Sequence, residues 1–162
     1  MTLVLGIDPG TATTGFGLVR NTKDGTLELV AYGTIKTPPD IAAHKRLSIL
    51  YHQLNDILLL HCPTVCAVEK LFFQRNVSTA IAVGQARGVL MLAISEAGLD
   101  VFEYTPNEVK QAVAGYGNAG KNQVQEMVKV LLCLAEKPKP DDAADALAIA
   151  ITHLNTQRYG EI

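Results

Sequence analysis

The chain has 162 residues, of which 48% are hydrophobic and 19% are charged. This length and composition are typical of one folded domain, expected here over residues 1–162, and they exclude a disordered protein. The net charge of −2 argues mildly against a nucleic-acid partner, because phosphate binding usually requires a basic surface.

The N-terminal part of the chain is predicted to form an antiparallel meander. Residues 3–7 are a short apolar run that ends at Asp8, which predicts a buried strand followed by a turn. Residues 15–20 and 27–35 predict two further strands, and Lys23-Asp24-Gly25 between them is typical of a hairpin turn.

Helices and strands alternate in the rest of the sequence. Apolar periodicity, a Thr105-Pro106 helix start and the break at residues 138–140 predict helices over residues 41–60, 77–97, 105–115, 121–134 and 142–155, with strands at 65–68 and 101–104. The last helix begins at Asp141 or Asp142. Together these elements predict an α/β fold with a five-stranded mixed sheet and helices on both faces.

The cysteines and the apolar segments bear on the cellular compartment. The three cysteines are an odd number, and no second Cys or His pair completes a zinc site with Cys62 and Cys66. We interpret them as buried free thiols in a reducing compartment. No apolar run approaches the roughly 18–20 residues that span a bilayer, and a signal peptide is not expected. The sequence therefore predicts a cytoplasmic protein without a membrane partner.

Two acidic residues follow predicted strands. Asp8 ends the first strand, and Glu69 ends the strand at residues 65–68. If these strands are neighbours, both carboxylates emerge at the same edge of the sheet, where α/β proteins place their sites. An acidic residue at a strand end is more often a turn or capping residue, so neither one alone indicates a site.

A second acidic pair lies three residues apart on the last helix. Asp142 and Asp145 share one helical face. Stabilisation of the helix N-terminus explains Asp142 well but Asp145 less well, because Asp145 lies deeper in an apolar helix. Clustered carboxylates repel one another unless a cation binds, and hard oxygen ligands select Mg²⁺ or Mn²⁺. Two such ions about 4 Å apart are suited to phosphodiester hydrolysis. Spacing alone leaves a nuclease site and a structural role equally open.

An ordered set of motifs covers nearly the whole chain. It comprises GIDPG at residues 6–10, Glu69 with Phe72, GQARG at 84–88, YTP at 104–106 with Val109-Lys110, KNQV at 121–124 and DAADALAIA at 142–150. With this set the chain resembles the RuvC-type Holliday junction resolvases. GIDPG alone is not specific, whereas the ordered set is highly specific.

The resemblance implies a function and a cofactor. It implies an RNase H-like fold and a homodimer that resolves four-way DNA junctions in recombination and repair by paired nicks, leaving 5′-phosphate and 3′-hydroxyl ends. The catalytic and metal-binding acids of the family correspond to Asp8, Glu69, Asp142 and Asp145, and Asp141 is an additional neighbour without a metal role. We expect two Mg²⁺ ions per site with DNA bound, Mn²⁺ as a substitute, and a branch-migration motor as a further partner.

The resemblance also implies DNA contacts. The family's aromatic residue that probes unstacked bases corresponds to Phe72, although adjacent Phe73 competes for that role and an aromatic at a strand end is often a core residue. The basic DNA contacts correspond to Lys110 and Lys121 and, more weakly, to Arg75 and Arg87. The lysines could equally be ordinary solvated side chains, and Arg87 could be structural.

The helix of small residues at 78–97 suits a dimer interface, because a twofold dimer matches the approximate twofold symmetry of a junction, but it could instead be buried within the monomer.

Two alternative functions for the whole protein are left open. An Asp-Gly turn after the first strand also occurs in actin-like and sugar-kinase-like phosphotransferases, for which this chain is short. A non-catalytic junction-binding protein is the other alternative, and the presence of all four acids argues against it.

Overall fold

The computed structural model describes residues 1–10, 12–70 and 76–160. The strands are β1 (Leu3–Asp8), β2 (Thr13–Asn21), β3 (Leu27–Lys36), β4 (Val65–Glu69) and β5 (Val101–Tyr104). The helices are α1 (Ala43–His61), α2 (Val77–Glu96), α3 (Pro106–Ala114), α4 (Lys121–Leu131) and α5 (Asp141–Gly160).

The strands form one five-stranded mixed sheet in the order β3-β2-β1-β4-β5. β1, β2 and β3 pair antiparallel, which confirms the predicted meander. β4 pairs parallel to β1, and β5 pairs parallel to β4. The hairpin between β2 and β3 turns at Gly25, whose φ of 81° is accessible to glycine at little cost. β1 is therefore the central strand, with β4 as its parallel neighbour.

Side chains of each strand alternate between two hydrophobic cores. On β1, Val4 belongs to the core that packs with α3, α4 and α5, whereas Leu5 and Ile7 belong to the core that packs with α1 and α2. On β4, Ala67 and Val68 divide between the two cores in the same way. The predicted arrangement of a mixed sheet with helices on both faces is thus confirmed.

Several helix ends differ from the sequence prediction by a few residues. α1 begins at Ala43, and α4 ends at Leu131 instead of continuing to residue 134. Cys133 adopts a φ of 54°, a left-handed conformation that does not continue an α-helix. α5 extends past the predicted end at residue 155 to Gly160, and the Arg158 guanidinium donates a hydrogen bond to the carbonyl of Gly25 in the β2–β3 hairpin.

The cysteines are free, but they are not all buried as predicted. Cys66 lies in the core, where burial raises the pKa of its thiol to about 12. Cys62 and Cys133 are exposed. Cys62 has a φ of 48° at the C-terminus of α1, and this end of the helix lies at the surface.

The expectation that no segment is long and apolar enough to span a bilayer was wrong for helix α2. By length and composition, this helix could cross a membrane. Only 28% of its most apolar stretch is buried within the chain. The side chains of Val77, Ile81 and Leu92 are 66%, 57% and 53% exposed, so α2 carries an unusually apolar surface.

Candidate active site

Strand pairing and side-chain alternation bring Asp8 and Glu69 to one edge of the sheet. Ile7 is the register partner of Val68, so the next residues, Asp8 and Glu69, end neighbouring parallel strands. Asp8 follows Val4 at an even spacing, and Glu69 follows Ala67 in the same way, so both acids lie on the face covered by α5. The expectation that both carboxylates emerge at the same edge is confirmed.

Glycines on β1 and β2 allow α5 to approach the sheet closely. Gly6, Gly15 and Gly17, which we call the glycine track, all lie against α5. A Cβ atom on Gly6 would lie 2.1 Å from the carbonyl oxygen of Ala146, and one on Gly15 would lie 1.9 Å from that of Asp142. Any other residue at these positions would push α5 away. The glycine track therefore sets the distance between the acids of α5 and the end of β1.

Three carboxylates meet where α5 crosses the end of β1. One oxygen atom of each of Asp8, Asp142 and Asp145 lies within 4.8 Å of those of the other two. We call these three residues the acid group. Burial raises the pKa of Asp8 to about 9, with further contributions from the charge of Glu69, from the charge of Asp145, from a side-chain hydrogen bond with Glu69 and from the charge of Asp142. Glu69 thus interacts with Asp8 although it lies outside the acid group.

Lys121 at the start of α4 faces the acids of α5. Its Nζ atom lies 3.6 Å from Oδ2 of Asp145 and 3.3 Å from Oδ2 of Asp141. Burial lowers the pKa of Lys121, but the attraction of Asp145 and Asp141 outweighs this effect and raises it overall. Burial raises the pKa of Asp145, and the charge of Lys121 opposes that shift. Lys121 therefore partly neutralises one member of the acid group.

A cleft with a volume of about 330 Å³ opens beside the acids. Glu69 and Asp145 line it together with Lys110 and Lys121, and we call it the lysine cleft. Both lysines that the resemblance assigned to DNA contacts therefore lie next to the acids. Although the chain has a net charge of −2, positive charge is therefore available beside the acids.

The acid group has the chemistry of a site for a hard divalent cation. Its donor atoms are carboxylate oxygens, the ligands that Mg²⁺ and Mn²⁺ prefer. Within the described residues, Lys121 is the cation that ion-pairs with this group, and it contacts only Asp145. Asp8 and Asp142 therefore lie close together without a cationic side chain between them, and a bound metal ion would stabilise the ionised form of both carboxylates.

The other predicted DNA contacts divide into two cases. Phe72, Phe73 and Arg75 lie outside the described residues. Arg87 is on α2, its side chain is 14% exposed, and its Nη2 atom lies 2.9 Å from Oε1 of Glu103 on β5. This ion pair joins α2 to the sheet and favours the structural alternative for Arg87.

Two features of the site were not found from the sequence. The first is the pair of Gly15 and Gly17, which lie on the same face of β2 because they are two residues apart. Two glycines on one face of a strand indicate that another element approaches closely. The second is the contact of Asp141 with both Lys121 and Gln125 of α4, which sequence spacing does not reveal.

Comparisons with known proteins agree with the geometry. Residues 4–153 match the family described as crossover junction endodeoxyribonuclease RuvC. Proteins of that name from Heliobacterium modesticaldum and Chloroflexus aggregans are 52% and 55% identical to this chain; the alignments cover 98% and 96% of this chain and 97% of each relative.

A solved structure described as T. thermophilus RuvC in complex with Holliday junction substrate superposes with a TM-score of 0.90 at 37% identity. The superposition covers 98% of this chain and 97% of that one. The five-stranded mixed sheet and its helices are therefore the RNase H-like fold expected from the resemblance. The chain belongs to the RuvC family of crossover junction endodeoxyribonucleases.

Proposed function

We propose that this protein is a structure-selective DNA endonuclease that resolves four-way junctions by paired, metal-dependent nicks in recombination and repair. The observation that carries the proposal is the acid group of Asp8, Asp142 and Asp145, held at the end of the central strand beside the lysine cleft. Family membership and the structural similarity to a relative in complex with a Holliday junction support the same substrate.

The proposed cofactor is Mg²⁺, with Mn²⁺ as a substitute and two ions per site when DNA is bound. Asp8, Asp142 and Asp145 would hold the ions, and Glu69 would contribute from the neighbouring strand end. When bound, such ions lower the pKa of a water nucleophile and neutralise charge on the leaving oxygen, leaving a 5′-phosphate and a 3′-hydroxyl.

The protein's own groups would bind and orient the DNA around this centre. Lys110 and Lys121 line the cleft at Glu69 and Asp145, so their ammonium groups are placed to hold the phosphates that flank the scissile bond. For contacts to unstacked bases we propose Phe72 or Phe73, with Arg75 as a nearby phosphate contact, in the segment that follows Glu69 and Lys70.

Paired nicking requires two sites, and we propose that a homodimer supplies them. Val77, Ile81, Gly88 and Leu92 follow one another at spacings of four, seven and four residues, which places them on one side of α2. The apolar members of this stripe are exposed, and Gly88 has nothing within 4 Å of an added Cβ. The stripe could therefore pack against its copy at short range. We further propose a single nuclease domain over residues 1–162, a cytoplasmic location and a branch-migration motor as a partner.

The decisive experiment uses a synthetic mobile four-way junction, resolved on a denaturing gel with and without Mg²⁺. We expect symmetric paired nicks only with the metal. Asp8→Asn should keep junction binding and abolish cutting, whereas Asp24→Asn, in the exposed β2–β3 hairpin, should cut normally. Equal cutting of plain duplex would contradict junction selectivity. Tight binding without any cutting would identify a non-catalytic junction-binding protein.

A further inference from the structure

Asp141 is the acidic residue at the α5 N-terminus that neither the acid group nor the family motif includes. Both of its carboxylate oxygens face α4. Oδ1 accepts a hydrogen bond of 3.1 Å from Nε2 of Gln125, and Oδ2 lies 3.3 Å from Nζ of Lys121. Lys121 and Gln125 are four residues apart, so they lie on the same side of α4. Together they fix the orientation of the Asp141 carboxylate between the two helices.

The ion pair between Asp141 and Lys121 matters because of where Lys121 lies. Lys121 is the first residue of α4, where the positive end of the helix dipole disfavours a cation. Its ammonium group is held there by Asp141 and by Asp145, at 3.3 and 3.6 Å. Asp145 belongs to the acid group, and a divalent cation bound there would compete with Lys121 for its oxygens. Asp141 lies outside that group, so its contact with Lys121 can persist when Asp145 is occupied.

We propose that Asp141 is a positioning residue that holds the Lys121 ammonium group at the border between the acid group and the lysine cleft. In the metal-free protein, Lys121 is shared between Asp141 and Asp145. With the site loaded, Asp141 alone retains it beside the phosphate to be cut. This inference rests on the proposed function, because it presumes that a phosphodiester lies in the lysine cleft.

The test combines junction affinity with the single-turnover cleavage rate at saturating protein and Mg²⁺. Asp141→Asn removes a negative charge from the DNA-facing side, which by long-range electrostatics should leave junction affinity unchanged or raise it. Positioning predicts that the same variant cuts roughly threefold to fivefold more slowly, as expected for loss of an exposed ion pair. Asp141→Glu should restore most of the rate. The matched control is Glu126→Gln, which removes an acid of α4 that pairs with Lys137, and it should cut at the normal rate.

A double-mutant cycle separates positioning from a general effect of charge. Lys121→Met should slow cutting, and adding Asp141→Asn to it should cause no further loss, because the two residues act as one unit. Additive losses, or a normal rate for Asp141→Asn alone, would overturn the proposal. Normal cutting by Lys121→Met would overturn it as well while leaving the nuclease function intact. If the unmodified protein leaves junctions uncut, the proposed function itself fails.

A readout independent of cleavage uses the metal-free protein. Chemical acetylation of lysine amines, followed by mass spectrometry, reports how readily the ammonium of Lys121 leaves its ion pairs. We expect faster modification of Lys121 in Asp141→Asn and an unchanged rate in Glu126→Gln. Equal modification rates of Lys121 in all three proteins would show that Asp141 does not hold it, and would overturn the proposal.

Discussion

In the metal-free protein, burial and neighbouring acids hold the pKa of Asp8 far above that of a free aspartate. Burial, followed by the charges of Glu69 and Asp145, raises its pKa from 3.8 to about 9. Between these two values the folded chain binds a proton that the unfolded chain releases. The contribution of Asp8 to the free energy of unfolding is therefore most favourable below pH 3.8 and is lost as the pH rises towards about 9.

Asp8→Asn should consequently stabilise the metal-free protein at neutral pH, because the amide has no charge to desolvate. We expect a higher melting temperature than that of the unmodified protein in EDTA, with a difference that grows as the pH is raised from 5 to 9. Thermal melts at a series of pH values test this expectation. Asp24→Asn serves as the control, and an equal pH dependence of Asp8→Asn and the unmodified protein would contradict the assignment.

His153 has the opposite pH dependence. It is 1% exposed on α5, and burial lowers the pKa of its imidazole from 6.5. Because the unfolded chain then binds the proton more readily, the contribution of His153 to stability is present above pH 6.5 and is lost as the pH falls through the lowered folded-state value. The difference in melting temperature between Asp8→Asn and the unmodified protein at each pH does not include this contribution, because both proteins contain His153.

At the scale of the elements, the hydroxyl of Tyr104 joins the edge strand β5 to α5. The hydroxyl of Tyr104 lies 2.7 Å from Nδ1 of His153, whose other ring nitrogen has no hydrogen-bond partner in the described structure. Tyr104→Phe would leave both nitrogens of a buried imidazole unsatisfied. We expect a loss of about 1–3 kcal/mol in the free energy of unfolding, measured by urea denaturation. Tyr32→Phe, at a side chain 40% exposed, should change it little.

Substitutions in the glycine track should move the whole of helix α5. In Gly15→Ala the new methyl group overlaps the carbonyl of Asp142, so α5 must move outwards and take its two acids with it. We expect a destabilisation of about 1–3 kcal/mol, typical of overpacking. Because the acid group is also separated, cleavage should fall further than the loss of folded protein explains.

The matched control for Gly15→Ala is Gly117→Ala, where an added Cβ meets nothing closer than 4.0 Å. The two variants should be compared at a temperature where both are fully folded. If Gly15→Ala cut junctions as fast as Gly117→Ala there, the glycine track would not set the geometry of the acid group.

The strands and the helix that carry the acids could be predicted from the sequence, but the distance between α5 and the sheet could not. The parallel neighbourhood of Asp8 and Glu69 follows from alternation and strand order, and the shared face of Asp142 and Asp145 follows from helical periodicity. The depth of α5 could not be predicted, because it depends on Gly6 and Gly15 facing that helix across long sequence separations. Helix ends such as that of α5 were missed for the same reason, since a tertiary contact from Arg158 supports its last turn.

Ion pairs between different elements could not be predicted from the sequence either. The contact of Asp141 with Lys121 depends on how α4 crosses α5, and charge spacing along one helix carries no information about that crossing. Arg87 is a similar case, since its pairing with Glu103 joins two elements whose proximity only the fold reveals. The choice between Phe72 and Phe73 stays a prediction.

For the whole molecule, the exposed apolar stripe on α2 makes the oligomeric state testable. Ile81→Glu would place a charge in the middle of the proposed interface, and desolvating it there is unfavourable. We expect this variant to sediment with half the mass of the unmodified protein and to make unpaired nicks. Val130→Glu, at a side chain of α4 that is 62% exposed, should leave the mass unchanged. An unchanged mass for Ile81→Glu would exclude α2 as the interface.

The acid group draws its members from the first strand and the last helix of the chain. A growing polypeptide on the ribosome therefore has no complete group until α5 has been released and has docked onto β1 and β2. Because domains generally fold as units during synthesis, we expect the acid group to form only when α5 docks onto the sheet. A copy of the chain that lacks α5 would lack two of the three acids, and we expect it to leave four-way junctions uncut.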